Sequence, residues 1–279
     1  MDNIAALLVT YNPDVDRLKK YIYLIRRQAN AVILIDNGSD NSSQIEEAFR
    51  REAHIHMLFN RRNEGIARAL NQGFRYATGK YEWLLTFDQD SLPSKNFMQI
   101  MVGHMEDHQV AILCPRIIDR NLKYTPHGRY YHPAKDVEFV EECITSGSLT
   151  RVSAWEKVGG FDETMFIDMV DFEFCYRLRQ QGYRILRDNR AKLLHEIGHS
   201  EERWLLKPIA VYHHAPWRRY YWARNSVYVC RKHPDYRRWY VGKEVFVMLI
   251  LILFFEDHKL EKIWQILRGI RDGFRMEVL

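Results

Sequence analysis

Within the first ninety residues, four apolar runs each end in a polar cluster and amphipathic segments separate them, an alternation that restricts the chain to a fold built on a parallel sheet. The first run, residues 4–10, leads into Thr10-Tyr11-Asn12-Pro13, where the proline steers Asn12 away from helical geometry. Residues 14–28 place Leu18, Tyr21, Ile22 and Ile25 at helical spacing. A second run, 31–35, ends in Asp36-Asn37-Gly38-Ser39, and residues 40–43 can cap the next helix. Residues 56–59 form a third short run, and Asn63-Glu64-Gly65 opens a helix to Ala77. The fourth run lies in residues 81–91 and ends in Asp88-Gln89-Asp90-Ser91. Ligands of an open α/β sheet bind outside the carboxyl ends of its strands, so Thr10, Asn12, Asp36, Asn37, Asn63, Asp88 and Asp90 are expected in one crevice.

Two aspartates separated by one residue can offer oxygen ligands to a hard divalent cation, which commonly carries a diphosphate. The same residues also favour turns, and Pro93 follows, so the pair alone decides little. Its place at the end of a fourth parallel strand favours the cation. The chain has neither Gly-x-Gly-x-x-Gly nor Gly-x-x-x-x-Gly-Lys-Ser/Thr, so phosphates are expected to be held through a metal instead of a glycine loop.

Beyond Met105 the alternation shortens, with strands expected over 110–115, 129–131, 138–144 and 183–194 that build a second wall for an acceptor. Thr145-Ser146-Gly147-Ser148 reads as a small-residue loop, 153–158 as a helix and Gly159-Gly160 as a turn. Residues 161–173 are rich in acids interleaved with large apolar side chains. A helix starting near Val170 turns Phe174 and Leu178 to the core and leaves Asp171 in its first turn beside the crevice, where the helix dipole favours a carboxylate whatever its task.

The net charge of +5 is unevenly placed: residues 203–243 hold ten Lys or Arg against the single acid Asp235. Aromatic residues interleave there, as in Trp217-Arg218-Arg219-Tyr220-Tyr221-Trp222, which suits a membrane interface ahead of nucleic acid; a solvated basic helix face is the plainer account. Residues 245–255 are an unbroken apolar run, shorter than the roughly twenty residues a spanning helix needs. Leu260, Ile263, Trp264, Leu267, Ile270 and Phe274 then repeat at helical spacing, which fits attachment to a membrane surface or packing against the catalytic body or a second subunit of a homo-oligomer. Cys114, Cys143, Cys175 and Cys230 show no paired spacing and are expected as free thiols. The acidic start Met1-Asp2 does not read as a secretory leader, which points to the cytoplasm at the inner face of the plasma membrane.

His195-Glu196-Ile197-Gly198-His199 matches the zinc-protease pattern His-Glu-x-x-His. That pattern needs a helix, whereas the preceding residues read as a strand, Gly198 weakens a helix, and the extended form would require Gly and His where Glu202 and Leu205 stand. A protease is kept as a minor alternative, and His195 alone remains a candidate metal ligand or phosphate contact.

Six ordered motifs resemble family 2 inverting glycosyltransferases of the GT-A fold, most closely the bacterial rhamnosyltransferase branch: Val9-Thr10-Tyr11-Asn12-Pro13, Ile35-Asp36-Asn37-Gly38-Ser39, Asn63-Glu64-Gly65-Ile66-Ala67, Phe87-Asp88-Gln89-Asp90-Ser91, Gly159-Gly160-Phe161-Asp162-Glu163 and Phe166 through Cys175. His195 with Ile197-Gly198, and the segment from Arg218 to Asn225, extend the match into the last third. The resemblance implies an α/β GT-A domain over 1–202, with a nucleotide-sugar half over 1–105 and an acceptor half over 106–202, followed by an extension over 203–279. It implies that Asp36 reads the nucleobase, that Thr10, Tyr11, Asn12, Asn63, Gly65, Arg68 and Asp88 line the nucleotide pocket, and that Asp90 and His195 hold Mg²⁺ or Mn²⁺. Asp171 falls at the catalytic base, where many relatives carry Glu-Asp and this chain has Val170-Asp171. Gly147, Trp155, Asp162 and Glu163 are expected on the acceptor side. The implied reaction moves L-rhamnose from dTDP-rhamnose to a lipid-linked or oligosaccharide acceptor of a bacterial surface polysaccharide, with a UDP-sugar such as UDP-galactofuranose as the alternative donor. A catalytically silent nucleotide-sugar binding module would require Asp171 to be idle.

Overall fold

The computed structural model describes residues 3–89, 91–195, 198–204, 207–236 and 238–278. Its elements follow in the order β1 (Ile4–Thr10), α1 (Val15–Ile25), β2 (Ala31–Asp36), α2 (Ser42–Phe49), β3 (Ile55–Phe59), α3 (Ile66–Ala77), β4 (Trp83–Asp88), β5 (Leu92–Pro93) and α4 (Phe97–Val102). The second half contains β6 (Val110–Asp119), β7 (Val137–Val140), β8 (Leu149–Arg151), α5 (Val152–Lys157), α6 (Val170–Gln180), β9 (Arg184–His195), β10 (Glu201–Trp204), β11 (Pro208–Val211), α7 (Pro216–Lys232), α8 (Arg238–Phe255) and α9 (Lys259–Arg275).

The main sheet runs β3-β2-β1-β4-β8-β6-β9-β5, with β7 also on β9, and β10 and β11 form a separate antiparallel ribbon. Strands β1 to β4 are mutually parallel, as the four periodic runs require. β8 enters antiparallel between β4 and β6. Because the chain moves outward from β1 through β2 to β3 and then returns to the other flank of β1 as β4, the strand order reverses at β1, and a crevice opens outside the carboxyl ends there. The register sets Thr10 opposite Asp36 and Val9 opposite Asp88, so the polar strand ends share one edge.

Alternating residues of β1 fill two separate cores. Ala5 and Leu7 join Ala67, Leu70 and Phe74 of α3 on one face. Ile4, Ala6 and Leu8 join Leu18, Tyr21, Ile22 and Ile25 of α1 on the other. Both faces of the strand are thus covered, which is why its sequence is a continuous apolar run instead of an alternating one.

Two expected strands differ. Residues 129–131 form turns, because the segment folds back on its own loop: the Arg129 amide donates to the Leu122 carbonyl (3.2 Å) and the Tyr130 amide to that of Lys123 (2.7 Å). β7 stops at Val140, which frees residues 141–148 to loop toward the crevice.

The carboxyl-terminal helices are closely tied to this body. Along α9, a Cβ added at Gly269 would lie 2.4 Å from the Tyr220 carbonyl oxygen and one at Gly273 2.5 Å from that of Arg224, so the two glycines let α9 lie directly on the α7 backbone. The apolar run 245–255 is the greater part of α8, which leaves Phe246, Ile250, Leu253 and Phe254 exposed. On α9, Leu260, Trp264, Leu267 and Phe274 are also exposed. Among the described residues no helix is long and apolar enough to cross a membrane.

Candidate active site

Two cavities meet in the crevice. The larger, about 710 Å³, is lined by Thr10, Tyr11, Asn37, Asn63, Gly65, Asp88 and Gln89 from the strand ends, with Phe166, Ile167, His195, His199, Trp217 and Arg218 facing them. The smaller, about 370 Å³, has Asp171 on its wall together with Thr145, Asp168, Met169, Phe172 and Trp222. Ile66, Asp88, Ile167, His195 and Arg218 border both, so a ligand in one cavity and a ligand in the other would meet at these side chains.

The wall of the larger cavity is knitted by short polar loops. Thr10 Oγ1 donates to Gln89 Oε1 at 2.8 Å, which ties the end of β1 to the turn after β4. Asn63 Oδ1 accepts from Asn37 Nδ2 and from the Gly65 amide, each at 3.0 Å. Gly65 has φ 84°, and a Cβ there would meet the Phe166 carbonyl at 2.7 Å, so a side chain would both strain the backbone and push the opposite wall away.

Some predicted binding residues reach the site only indirectly. The buried carboxylate of Asp36 accepts from the hydroxyls of Ser39 and Ser42, and Asn37, its neighbour, is the residue on the cavity wall. Asn12, with φ 48°, latches its loop to Asp40: the Asp40 amide donates to Asn12 Oδ1 at 2.7 Å. Arg68 lines neither cavity and pairs with Glu64 at 3.3 Å and Glu163 at 3.9 Å.

The acceptor-side residues expected from the sequence, Gly147, Trp155, Asp162 and Glu163, line neither cavity. Trp155 is buried, stacks on Phe74 and donates to Asn71 Oδ1. Glu163 accepts from Asn71 and Arg75. Asp162 accepts from Lys232 Nζ at 2.6 Å and Tyr228 Oη at 2.8 Å. Burial would push its carboxyl up, but Lys232 and Thr164 prevail and hold it at about 2. Gly147 packs against Pro115 and Leu193, and the nearby Thr145 is the residue that lines the smaller cavity. These side chains are engaged in packing and internal pairing, and none of them is on the wall of either cavity.

Metal-ligating chemistry concentrates at the strand end. Asp88 Oδ2 lies 3.8 Å from His195 Nε2, while His195 Nδ1 bonds Ser91 Oγ at 2.7 Å, and Ser91 in turn bonds Ser146 Oγ at 2.8 Å. A hydrogen bond to one ring nitrogen of this kind fixes the imidazole and its tautomer, so that the other nitrogen can be offered to a cation. A carboxylate oxygen and an imidazole nitrogen converging at the junction of the two cavities are donors that a divalent cation can take. Among the described residues no group of three such ligands forms; Asp90 and Glu196 lie outside the described residues. His195 is the last residue of a strand, so the helical spacing that a His-Glu-x-x-His zinc site needs is absent.

Asp171 stands in the first turn of α6, and its Oδ1 accepts the Phe172 amide at 3.0 Å. Burial, reinforced by negative charge at Cys143 and Asp168, raises its pKa to about 7 against the opposing backbone hydrogen bonds. A carboxylate poised near neutrality at a cavity wall is suited to take a proton from a bound hydroxyl. The backbone just before it is unusual: Asp168 and Met169 both have left-handed φ, 64° and 65°. Such residues cost about 1–3 kcal/mol each and persist only where neighbours enforce them.

The enforcing residues come from α7, where sequence reasoning found a basic and aromatic run and assigned it to a surface. Arg218 forks onto Asp168 Oδ1 with Nε and Nη2, each at 3.1 Å. Asn225, fully buried, donates to the Ile167 and Asp168 carbonyls at 2.7 and 3.0 Å. Arg219 is buried against Glu256. The alternation of charge and aromatics gave the composition of this helix but not the direction each residue faces.

The comparisons with known proteins agree with this geometry. The profile of Glycosyl transferase family 2 matches residues 6–172. The dTDP-rhamnosyl transferase RfbF of Shigella flexneri is 30% identical over 287 residues, covering 98% of this chain and 96% of that protein. Among solved structures, GalNAc-T7 with UDP, GalNAc and Mn²⁺ superposes with a TM-score of 0.65 at 15% identity over 84% of this chain, which spans 48% of that longer one. The mannosyltransferase PcManGT of Pyrobaculum calidifontis, in complex with GDP-Man and Mn²⁺, gives a TM-score of 0.58 at 15% identity over 97% of this chain and 73% of its own. At such identities the structural matches establish the GT-A fold, and the profile with the full-length relative establishes the family: the chain belongs to glycosyl transferase family 2.

Proposed function

We propose that the protein transfers L-rhamnose from dTDP-rhamnose, with inversion, to a hydroxyl of a lipid-linked or oligosaccharide acceptor in bacterial surface polysaccharide synthesis. The observation that carries this reading is the place of Asp171 on the wall of a cavity that shares Asp88, His195 and Arg218 with the strand-end cavity, where burial raises its carboxyl pKa. The donor's nucleoside fits the larger cavity between Thr10, Tyr11, Asn37 and Asn63, and its sugar then reaches the shared border. Asp171 takes the proton from the acceptor hydroxyl as that oxygen attacks the anomeric carbon from the face opposite the diphosphate, which produces inversion. Arg218, on the border, is placed to meet charge on the departing diphosphate. Asp88, Asp90 and His195 would hold Mg²⁺ or Mn²⁺, which when bound offsets negative charge on the leaving diphosphate. The donor preference rests on the near full-length similarity to the Shigella flexneri transferase.

A donor panel scored by nucleoside-diphosphate release tests this directly. dTDP-rhamnose should exceed UDP-galactofuranose and other UDP-sugars by at least tenfold, and a chelator should abolish release until Mg²⁺ or Mn²⁺ is restored. Release that persists undiminished in excess chelator would reject the metal assignment, and equal rates with UDP-sugars would reject the donor.

We further propose that α9 rests on a membrane surface at the cytoplasmic face, supported by its exposed Leu260, Trp264 and Leu267 and by the basic residues among them. Removing the tail would strip α9 from α7, so point substitution is the sound test. Leu260→Glu with Trp264→Glu should reduce flotation with anionic phospholipid vesicles several-fold while leaving the fold intact. Unchanged flotation would reject attachment through α9 and favour contact with a second subunit.

A further inference from the structure

Asn225 lies beyond the family-matched residues 6–172, yet it reaches back to the segment that carries Asp171. Its carboxamide nitrogen carries two hydrogens, and each has one carbonyl to meet: Ile167 at 2.7 Å and Asp168 at 3.0 Å. Those carbonyls lie on either side of Asp168, the first of the left-handed pair Asp168 and Met169, after which α6 starts at Val170. Asn225 Oδ1 is itself fixed by Arg224 Nε at 2.9 Å, and Arg224 also donates to the Thr164 carbonyl at 3.1 Å. An aspartate at 225 could not take this role, because its carboxylate would set acceptor oxygens against two carbonyl oxygens. Gly269 and Gly273 seat α9 directly on the α7 backbone at Tyr220 and Arg224, which braces the helix bearing Asn225.

We propose that Asn225 is a positioning residue for glycosyl transfer: by holding the two carbonyls of the left-handed turn, it sets where Asp171 stands in the smaller cavity. The proposal rests on Asp171 being the base. Its consequence is that α7 and α9 belong to the catalytic apparatus even though neither α9 nor Asn225 borders either of the two cavities.

The test compares Asn225→Ala, Asn225→Ser and Asp171→Asn in the full chain, following dTDP release from dTDP-rhamnose with alkyl glycosides, and water, as acceptors. Misplacement of a reacting group by about 1 Å is worth on the order of a hundredfold, so Asn225→Ala should lower kcat by about 10- to 100-fold. The donor KM should change less than about threefold, and the acid limb of the rate profile should move, because the surroundings of the Asp171 carboxyl change with the turn. Asn225→Ser keeps one donor and should fall between the two, which preserves the test if the alanine variant melts too low to assay. Normal kcat and an unmoved acid limb in the serine and alanine variants would overturn the proposal, as would a loss of kcat matched by equal loss of donor affinity with the limb unmoved. Full turnover by Asp171→Asn would instead overturn the base assignment, so the two failures are separable.

Discussion

Asp171→Asn is expected to lower turnover by about 10²- to 10⁴-fold, the range that a positioned general base contributes, while donor affinity stays within about threefold. Asparagine keeps the volume and can still accept the Phe172 amide, so the loss isolates proton transfer from architecture. In the unaltered protein the carboxyl, raised to about 7 chiefly by burial, must be ionised to act. Its rate should therefore climb as pH rises through about 7 and plateau above. The same shift has an opposite effect on stability. A carboxyl whose folded pKa lies above its ordinary value of 3.8 binds its proton more tightly when folded, so stability declines between about pH 4 and 7 and stays lower above that window. Asp171→Asn removes the cost of burying the charge, and at pH 8 the variant should be more stable by on the order of 2 kcal/mol, since the wall of the cavity is partly accessible and the full shift overstates the gain. Chemical denaturation at pH 5 and pH 8 measures this, and a variant that is less active but no more stable at pH 8 would reject the buried-charge account.

The parallel half of the fold was legible because β1, β2 and β4 are buried on both faces, so their apolar runs are continuous and their polar ends stand out. That made Asp88 and Asp171 readable as crevice residues from their place after a strand and at the start of a helix. The second half was harder, since β5, β7 and β8 are two to four residues long and depend on partners far along the chain for their hydrogen bonds. Asp36 shows a different limit. Its position after β2 was evident, but the serines at 39 and 42 that capture its carboxylate are decided by loop geometry. The family resemblance reached the segment from Arg218 to Asn225, but the role of these two side chains was hidden by their neighbourhood: charged and aromatic residues crowd α7, and Arg218 and Asn225 are satisfied by Asp168 and by carbonyls some fifty to sixty residues earlier. Periodicity reports apolar burial, and it is silent on buried polar pairs.

The largest structural effect is expected at Glu173, two residues after the base. Its side chain is fully buried, and its oxygens accept from Arg177 Nε at 2.8 and 2.9 Å, Arg177 Nη2 at 2.8 Å and His233 Nε2 at 2.9 Å, with Lys232 Nζ 3.3 Å away. Arg177 goes on to the Val158 and Gly160 carbonyls, so one carboxylate joins α6, the end of α7 and the turn after α5. Burial alone would raise its pKa, but the hydrogen bonds from His233 and Arg177 and the nearby cations hold it at about 2. Removing one partner of a buried ion cluster strands the others, at a cost of about 3–5 kcal/mol, so Glu173→Ala should lower the denaturation midpoint accordingly. Lys232 keeps Asp162 as a counter-charge, which places the expected loss toward the lower end. Glu173→Gln retains shape and one acceptor but not charge, and its deficit should depend on pH in a defined way. A carboxylate depressed from 4.5 to about 2 contributes its stability above about pH 4.5 and loses it as pH falls toward 2. The gap between wild type and Glu173→Gln should therefore be largest at neutral pH, about 3 kcal/mol at most, and close through that acid window. Because the same cluster secures α7, Glu173→Ala should also free the Asn225 contacts and reduce turnover more than its loss of folded protein explains. A midpoint within 1 kcal/mol of wild type, or a gap that does not narrow in acid, would refute the cluster as the lock between α6 and α7.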